Sequence, residues 1–158
     1  MFLTYRESHT GGIPDDPNDR WSDCSPEYIE WSPRQLFTDR SKAPDWLVQT
    51  VKSNFEPKPG DKVTLTVVRY QTGCTFGTTH GCWEVIGAYK TREEAQKVAD
   101  TIEADDKQWC EFEQAMRVYS YQKKKKPEMP KDLYEGYKPW RGYFERLEGV
   151  EVIDMTVE

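Results

Sequence analysis

The stretch covering residues 62–70 constrains this chain more than any other. Val63, Leu65 and Val67 alternate there with Thr64, Thr66, Val68 and Tyr70, so β-branched and large apolar side chains stand on both faces of one extended segment. A strand of that composition belongs at the centre of a sheet. After a glycine-rich connection, residues 82–89 place Ile86 and Ala88 on one side and Trp83, Val85 and Tyr89 on the other, which makes them its antiparallel partner. The pair predicts a hairpin with a long tip.

Thr91-Arg92-Glu93-Glu94 is a capping box, in which hydroxyl and carboxylate close the orphan amides of a helix start. Ala95, Val98, Ala99 and Ile102 then form a helical stripe, which resumes at Trp109, Phe112 and Met116 beyond Asp105-Asp106. The helix either runs on or bends there into a second one, and the acidic pair reads as a solvated feature. Pro44, at a first helical position beside Asp45, opens a segment with Leu47, Val51 and Phe55 four residues apart, which predicts a shorter amphipathic helix ended by Pro57, Pro59 and Gly60. Residues 2–7 alternate as a short strand ended by His9-Thr10-Gly11-Gly12, and Tyr28-Ile29-Glu30-Trp31 is a second, stopped by Pro33. Val150, Val152, Ile153, Met155 and Val157 give a last strand that closes the sheet. Together these predict an α+β fold: a mixed or mainly antiparallel sheet with one long helix and a shorter helix packed on one face. The chain reads as a single domain, 1–158, with loops at 10–26 and 122–139.

The composition bounds the function. Thirteen per cent of residues are aromatic, with six Trp and nine Tyr, while 32% are charged, so large amphipathic side chains either pack the interior or face a partner. A net charge of −6 argues against nucleic acid as the partner, since that needs clustered Lys and Arg. The sequence opens without a basic leader and holds no stretch of ~18 apolar residues, so a cytoplasmic protein away from membranes is expected. Cys24, Cys74, Cys82 and Cys110 are accordingly expected as reduced thiols.

The most unusual segment is residues 70–82, with three Gly, four Thr, one His and two Cys. Gly73, Gly77 and Gly81 would admit close backbone approach to a ligand. Thr72, Thr75 and Thr78 would then offer hydroxyls to phosphate or carboxylate oxygens, beside Phe76 and His80. An ordinary glycine-rich hairpin tip is the alternative, and the spacing matches neither a P-loop nor a dinucleotide fingerprint. Cys74, His80 and Cys82, with a fourth ligand from Cys24, Cys110 or His9, lack the paired short spacing of structural zinc sites, so neither a metal nor another cofactor is expected. A thiol nucleophile based on Cys74 or Cys82 with His80 lacks a third orienting group, and an enzyme is the less favoured reading. Ser8-His9-Thr10-Gly11-Gly12 again sets a His among Thr and Gly beyond a strand, and both histidines would share a pocket if their strands are neighbours. Tyr137, Trp140, Tyr143 and Phe144 surround Lys138 and Arg141, which suits base stacking, a protein partner, or a lid over the core. The lysines at 123–126 read as a solvated loop. Glu145, Glu148, Glu151, Asp154 and Glu158, opposed by Arg146 alone, form an acidic edge that guards against strand pairing or meets a basic partner.

Residues 5–12, the run Arg69-Tyr70-Gln71-Thr72-Gly73-Cys74-Thr75-Phe76-Gly77, and Trp140-Arg141-Gly142-Tyr143-Phe144-Glu145-Arg146-Leu147-Glu148 together resemble small tailed-bacteriophage accessory proteins of unassigned function. In that group an acid commonly stands where this chain has Cys74, which weakens any metal or acid role for the loop. The resemblance implies a phage setting and a host factor as target. The expectation is therefore a non-enzymatic accessory protein, such as a defence-system inhibitor that sequesters a nucleotide-derived signal. The contact residues would be Thr72, Gly73, Thr75, Phe76, Gly77, Thr78, His80, His9, Trp140, Arg141 and Tyr143. A protein–protein inhibitor acting through the acidic edge and exposed aromatics is the alternative, and self-association into a homo-oligomer stays open.

Overall fold

The computed structural model describes residues 1–10, 28–43, 48–73, 79–122, 125–131 and 145–158. Six strands and one helix run in the order β1 (Phe2–Thr10), β2 (Tyr28–Phe37), β3 (Val48–Thr50), β4 (Lys62–Gly73), β5 (Thr79–Tyr89), α1 (Arg92–Gln122) and β6 (Glu145–Thr156). They form one mixed sheet in the order β3-β1-β2-β5-β4-β6. Its two halves, β3-β1-β2 and β5-β4-β6, are each antiparallel. A short parallel ladder joins them, with Tyr28, Ile29 and Glu30 of β2 beside Thr79, His80 and Gly81 of β5. The fold is thus α+β with a mainly antiparallel sheet.

The double-sided alternation of β4 finds a cover on each face. Val63, Leu65 and Val67 enter one core cluster with Leu3 and Tyr5 of β1, Leu36 of β2, Val51, Val85 and Ala88 of β5, and Val157. Val68 enters a second cluster with Ile102 and Trp109 of α1, onto which Ile86, Val98, Phe112, Leu147 and Val150 pack. Between them, wholly buried Thr66 donates its hydroxyl hydrogen to the Ala95 carbonyl at 2.8 Å, which ties the first turn of the helix to the central strand without orphaning a polar group. Full burial of a Leu or Ile in these layers contributes roughly 2–3 kcal/mol each.

Three one-residue bulges interrupt the antiparallel ladders of the described strands. Arg34 is the extra residue between β1 and β2, Ile86 between β4 and β5, and Glu148 between β4 and β6. The first explains why β2 does not stop at Pro33. The proline sits beside the bulge, where the missing N–H disrupts a ladder already interrupted, and the strand continues to Phe37.

The capping box forms as the sequence predicts, with the Glu94 amide donating to Thr91 Oγ1 and the Thr91 amide to Glu94 Oε2, both at 3.3 Å. α1 then runs without a break through Asp105 and Asp106 for 31 residues, about 46 Å. The solvated reading of that pair needs correction, because Asp105 is buried. The shorter helix predicted from Pro44 to Phe55 does not form among the described residues. Positions 44–47 lie outside them, Val48–Thr50 is an edge strand on β1, and the second helical feature is a single 3-10 turn, Arg40–Lys42. Val51 is buried in the core cluster beside the N-terminus, its amide donating to the Met1 carbonyl at 2.9 Å.

The turn before β4 clamps the end of the chain. Pro59 and Gly60 occupy the central positions of a turn closed by the Asp61 amide on the Lys58 carbonyl at 3.0 Å, and Gly60 has φ of +92°. Its amide donates to the Val157 carbonyl at 2.7 Å, and the Val157 amide donates to Asp61 at 2.9 Å. A methyl group at Gly60 would meet nothing within 4 Å, so only the backbone angle opposes it. Gly60→Ala is expected to lower stability by about 1–2 kcal/mol, read as a shift of the urea midpoint at constant slope.

Candidate binding cleft

The edge of β5 is completed in three pieces. β2 pairs with Thr79, His80 and Gly81 through its backbone. Farther along, the Gln49 side chain on β3 takes the place of a peptide group: its Nε2 donates to the Val85 carbonyl at 2.8 Å, and its Oε1 accepts the Val85 amide at 3.2 Å and the Tyr5 hydroxyl. The Ala88 amide then donates to the Lys52 carbonyl at 2.9 Å. Between the first piece and the second, at Trp83 and Glu84, the halves part around a cavity of about 430 Å³. Tyr5, Trp31, Tyr70 and Trp83 line it together with Val48, Gln49 and Glu84. Pockets of this size lined by aromatic groups and a few polar ones are typical of ligand sites. The depression along residues 93–105 is instead walled almost wholly by exposed side chains of α1 and amounts to open surface.

A charged network sets the Trp83 ring. Its Nε1 donates to Glu30 Oε1 at 3.1 Å, and the Arg69 guanidinium stands 5.6 Å from the ring centre. Arg69 reaches Glu30 at 3.6 Å and Glu148, the extra residue of the β4/β6 bulge, at 3.0 Å. These side chains are about one third exposed, so each pair contributes little more than orientation. Three of the five acids of the expected acidic edge are engaged inside the chain. Glu148 holds Arg69, Asp154 accepts from Arg92 at 3.1 Å and from Thr64 at 2.8 Å, and Glu158 accepts from Gln35 at 3.2 Å.

Of the residues singled out in the sequence, the register brings several backbones to one end of the sheet. His9 pairs with Ile29, Ile29 with His80, His80 with Thr72, and Thr72 with Glu145, so one row crosses five strands. Gly73 pairs with Thr79 in the next row. Thr72, Gly73 and His80 therefore belong to paired strands rather than to a loop. Thr75, Phe76, Gly77, Thr78, Trp140, Arg141 and Tyr143 lie outside the described residues, as do Cys24 and Cys74. Sequence reasoning did not single out Tyr5, Trp31, Gln49, Tyr70, Trp83 or Glu84 as a site; its one signal was the aromatic surplus.

Among the described residues no group of three or more His, Cys, Asp or Glu is placed to hold a metal ion, and no helix is long and apolar enough to cross a membrane. Cys110 on α1 is exposed, with its thiol 3.8 Å from Asp106 Oδ2. Partial desolvation, then the charges of Asp106 and Glu113, raise its pKa above the ordinary 9.0. The thiol stays protonated at neutral pH and is a poor nucleophile. Alkylation of Cys110 by iodoacetamide at pH 8 is expected to be slower than that of a free cysteine and to gain rate beyond pH 9, followed site by site by peptide mass analysis.

Comparison of the chain with known protein families, with curated proteins and with solved structures found no match in any of the three.

Proposed function

We propose that this chain is a non-enzymatic binding protein that grips a partner protein in the aromatic cleft between the two half-sheets, and that, on the resemblance drawn from its sequence, the partner is a host factor of a bacteriophage. The observation that carries this reading is the lining of the cleft. Four aromatic rings and the half-buried Glu84 line it, and among the described residues no Lys or Arg does. Tyr and Trp in such settings supply most of the energy of protein contacts. Among the described lining residues a phosphate-bearing ligand would find no cation, and nearby Arg69 is shared between Glu30 and Glu148. The internal use of Glu148, Asp154 and Glu158 likewise favours the aromatics over the acidic edge as the grip.

A second reading has one observation in its favour. The row through His9, His80 and Thr72 gathers three of the ligand residues expected from the sequence, so a nucleotide-like molecule at that end of the sheet is the rival.

Native mass spectrometry of the protein purified from host cells separates the two. Retention of a protein-sized partner, lost in Trp31→Leu and Tyr70→Leu variants whose unfolding midpoints show them folded, supports the cleft. A nucleotide-sized adduct, or a partner retained equally by both variants, contradicts it.

A further inference from the structure

We propose that the cleft receives a peptide group of the partner's main chain in extended conformation, hydrogen-bonded to the backbone of Trp83; this rests on the reading of the cleft as the binding site. The register fixes which way Trp83 faces. Val85 turns its amide and carbonyl away from β4, since the Gln49 side chain takes both. The β4/β5 ladder runs without a shift from Gly81 to Val85, and successive residues of a strand direct their backbone groups to opposite edges. Gly81, Trp83 and Val85 therefore present N–H and C=O to the same edge, the one toward β2 and β3. Gly81 is met there by β2 and Val85 by Gln49. Among the described residues, Trp83 between them is met by neither. The parallel ladder ends at Glu30 and Gly81, one pair short of joining the Trp31 carbonyl to the Trp83 amide. Continued by two residues, the same register would set Pro33 opposite the Trp83 carbonyl, and a proline nitrogen has no hydrogen to donate.

The slot so defined has the chemistry of an open strand edge, which is a template for another chain's backbone. From Gly81 to Val85 it spans about 13 Å, at about 3.3 Å per residue, and a single donor and a single acceptor on Trp83 face it. One peptide group in extended conformation supplies the matching pair. The neighbouring slot shows that an amide suits this edge, because the Gln49 carboxamide fills it with one donor and one acceptor at 2.8 and 3.2 Å. The cavity of about 430 Å³ is lined by Trp83 and by Gln49, so it lies beside both slots.

The test uses the full, unsubstituted chain, isotope-labelled, and reads the backbone amide signals of Trp83 and Val85. In the free chain the Trp83 amide is expected to exchange with deuterium about tenfold or more faster than the Val85 amide, which Gln49 holds. The probes are the acetylated, amidated tripeptide Ser-Val-Ser and its ester analogues, in which each backbone N–H in turn is replaced by oxygen. The peptide is expected to move the Trp83 amide signal and slow its exchange. At least one ester should bind about fivefold more weakly, the ratio that one net hydrogen bond supplies. Protection of Trp83 equal to that of Val85 in the free chain, equal binding of the peptide and all its esters, or no response of Trp83 to the peptide overturns the inference. If it is overturned while partner retention still depends on Trp31 and Tyr70, the cleft remains the site and takes side chains alone. If retention is indifferent to those two residues, the site itself is misplaced and the inference falls with it.

Discussion

Leu65→Ala is expected to lower the free energy of unfolding by about 3 kcal/mol, a large part of the 5–15 kcal/mol that holds a domain of this size. Leu65 is wholly buried on β4, with Ala88 as its partner on β5 and Ile153 as its partner on β6. It shares its cluster with Leu3, Leu36 and Val51 from the other half-sheet and with Val157 just beyond β6. Shortening it loses the transfer energy of three carbons and leaves a void. Ala88 is too small to fill that void, and the strands on either side are held by ladders along their length. Urea unfolding measures the loss, with Val118→Ala on the exposed side of α1 as a comparison expected to stay within about 0.5 kcal/mol. A loss at Leu65 below about 1 kcal/mol would mean that the two half-sheets do not meet over this face.

Gln49→Ala is expected to cost about 2 kcal/mol, an unusual loss for a residue on a three-residue edge strand. Its amide is the middle of the three pieces that complete the edge of β5, and it satisfies the amide and carbonyl of Val85 as well as the Tyr5 hydroxyl. Val85 is 4% exposed, so water replaces these bonds poorly once the amide is gone. Gln49→Leu, which restores bulk but no hydrogen bonds, is expected to recover little. Gln49→Glu is expected to be destabilised at neutral pH and to recover in part on acidification, because only a protonated carboxyl can donate to the Val85 carbonyl. Thermal unfolding of the three variants at two pH values reads all of this. Wild-type stability in the alanine variant would show that β5 does not rely on the side chain.

What was legible in the sequence follows from how local each signal is. The alternation of Val63 to Val68 and the Thr91/Glu94 box depend on neighbours within a few residues, and both appear where the pattern puts them. Leu47, Val51 and Phe55 imitated a helix because their spacing is fourfold. Among the described residues, Val51 instead follows a short strand and bonds to Met1, a partner about fifty residues away in sequence. Pro33 hid the continuation of β2, since only the bulge set by β1 makes a proline tolerable there. The cleft was least legible of all. Tyr5, Trp31, Tyr70 and Trp83 come from four different strands, and their convergence depends on β2 leaving β5 after Glu30 and on a glutamine side chain reaching across from β3. No spacing rule along the chain encodes such a meeting. The glycine-rich segment drew attention through composition, yet its described residues, 70–73 and 79–82, are strand.

The most direct measurement of the central claim is site-specific photocrosslinking with a diazirine-bearing residue in host lysate, placed either at Val48 on the rim of the cleft or at Lys97 on the exposed side of α1. Partner capture through the cleft predicts a discrete crosslinked species from position 48, absent from position 97 and lost when Tyr70→Leu is added. A species formed from position 97 alone, or one from position 48 that survives Tyr70→Leu, would contradict it.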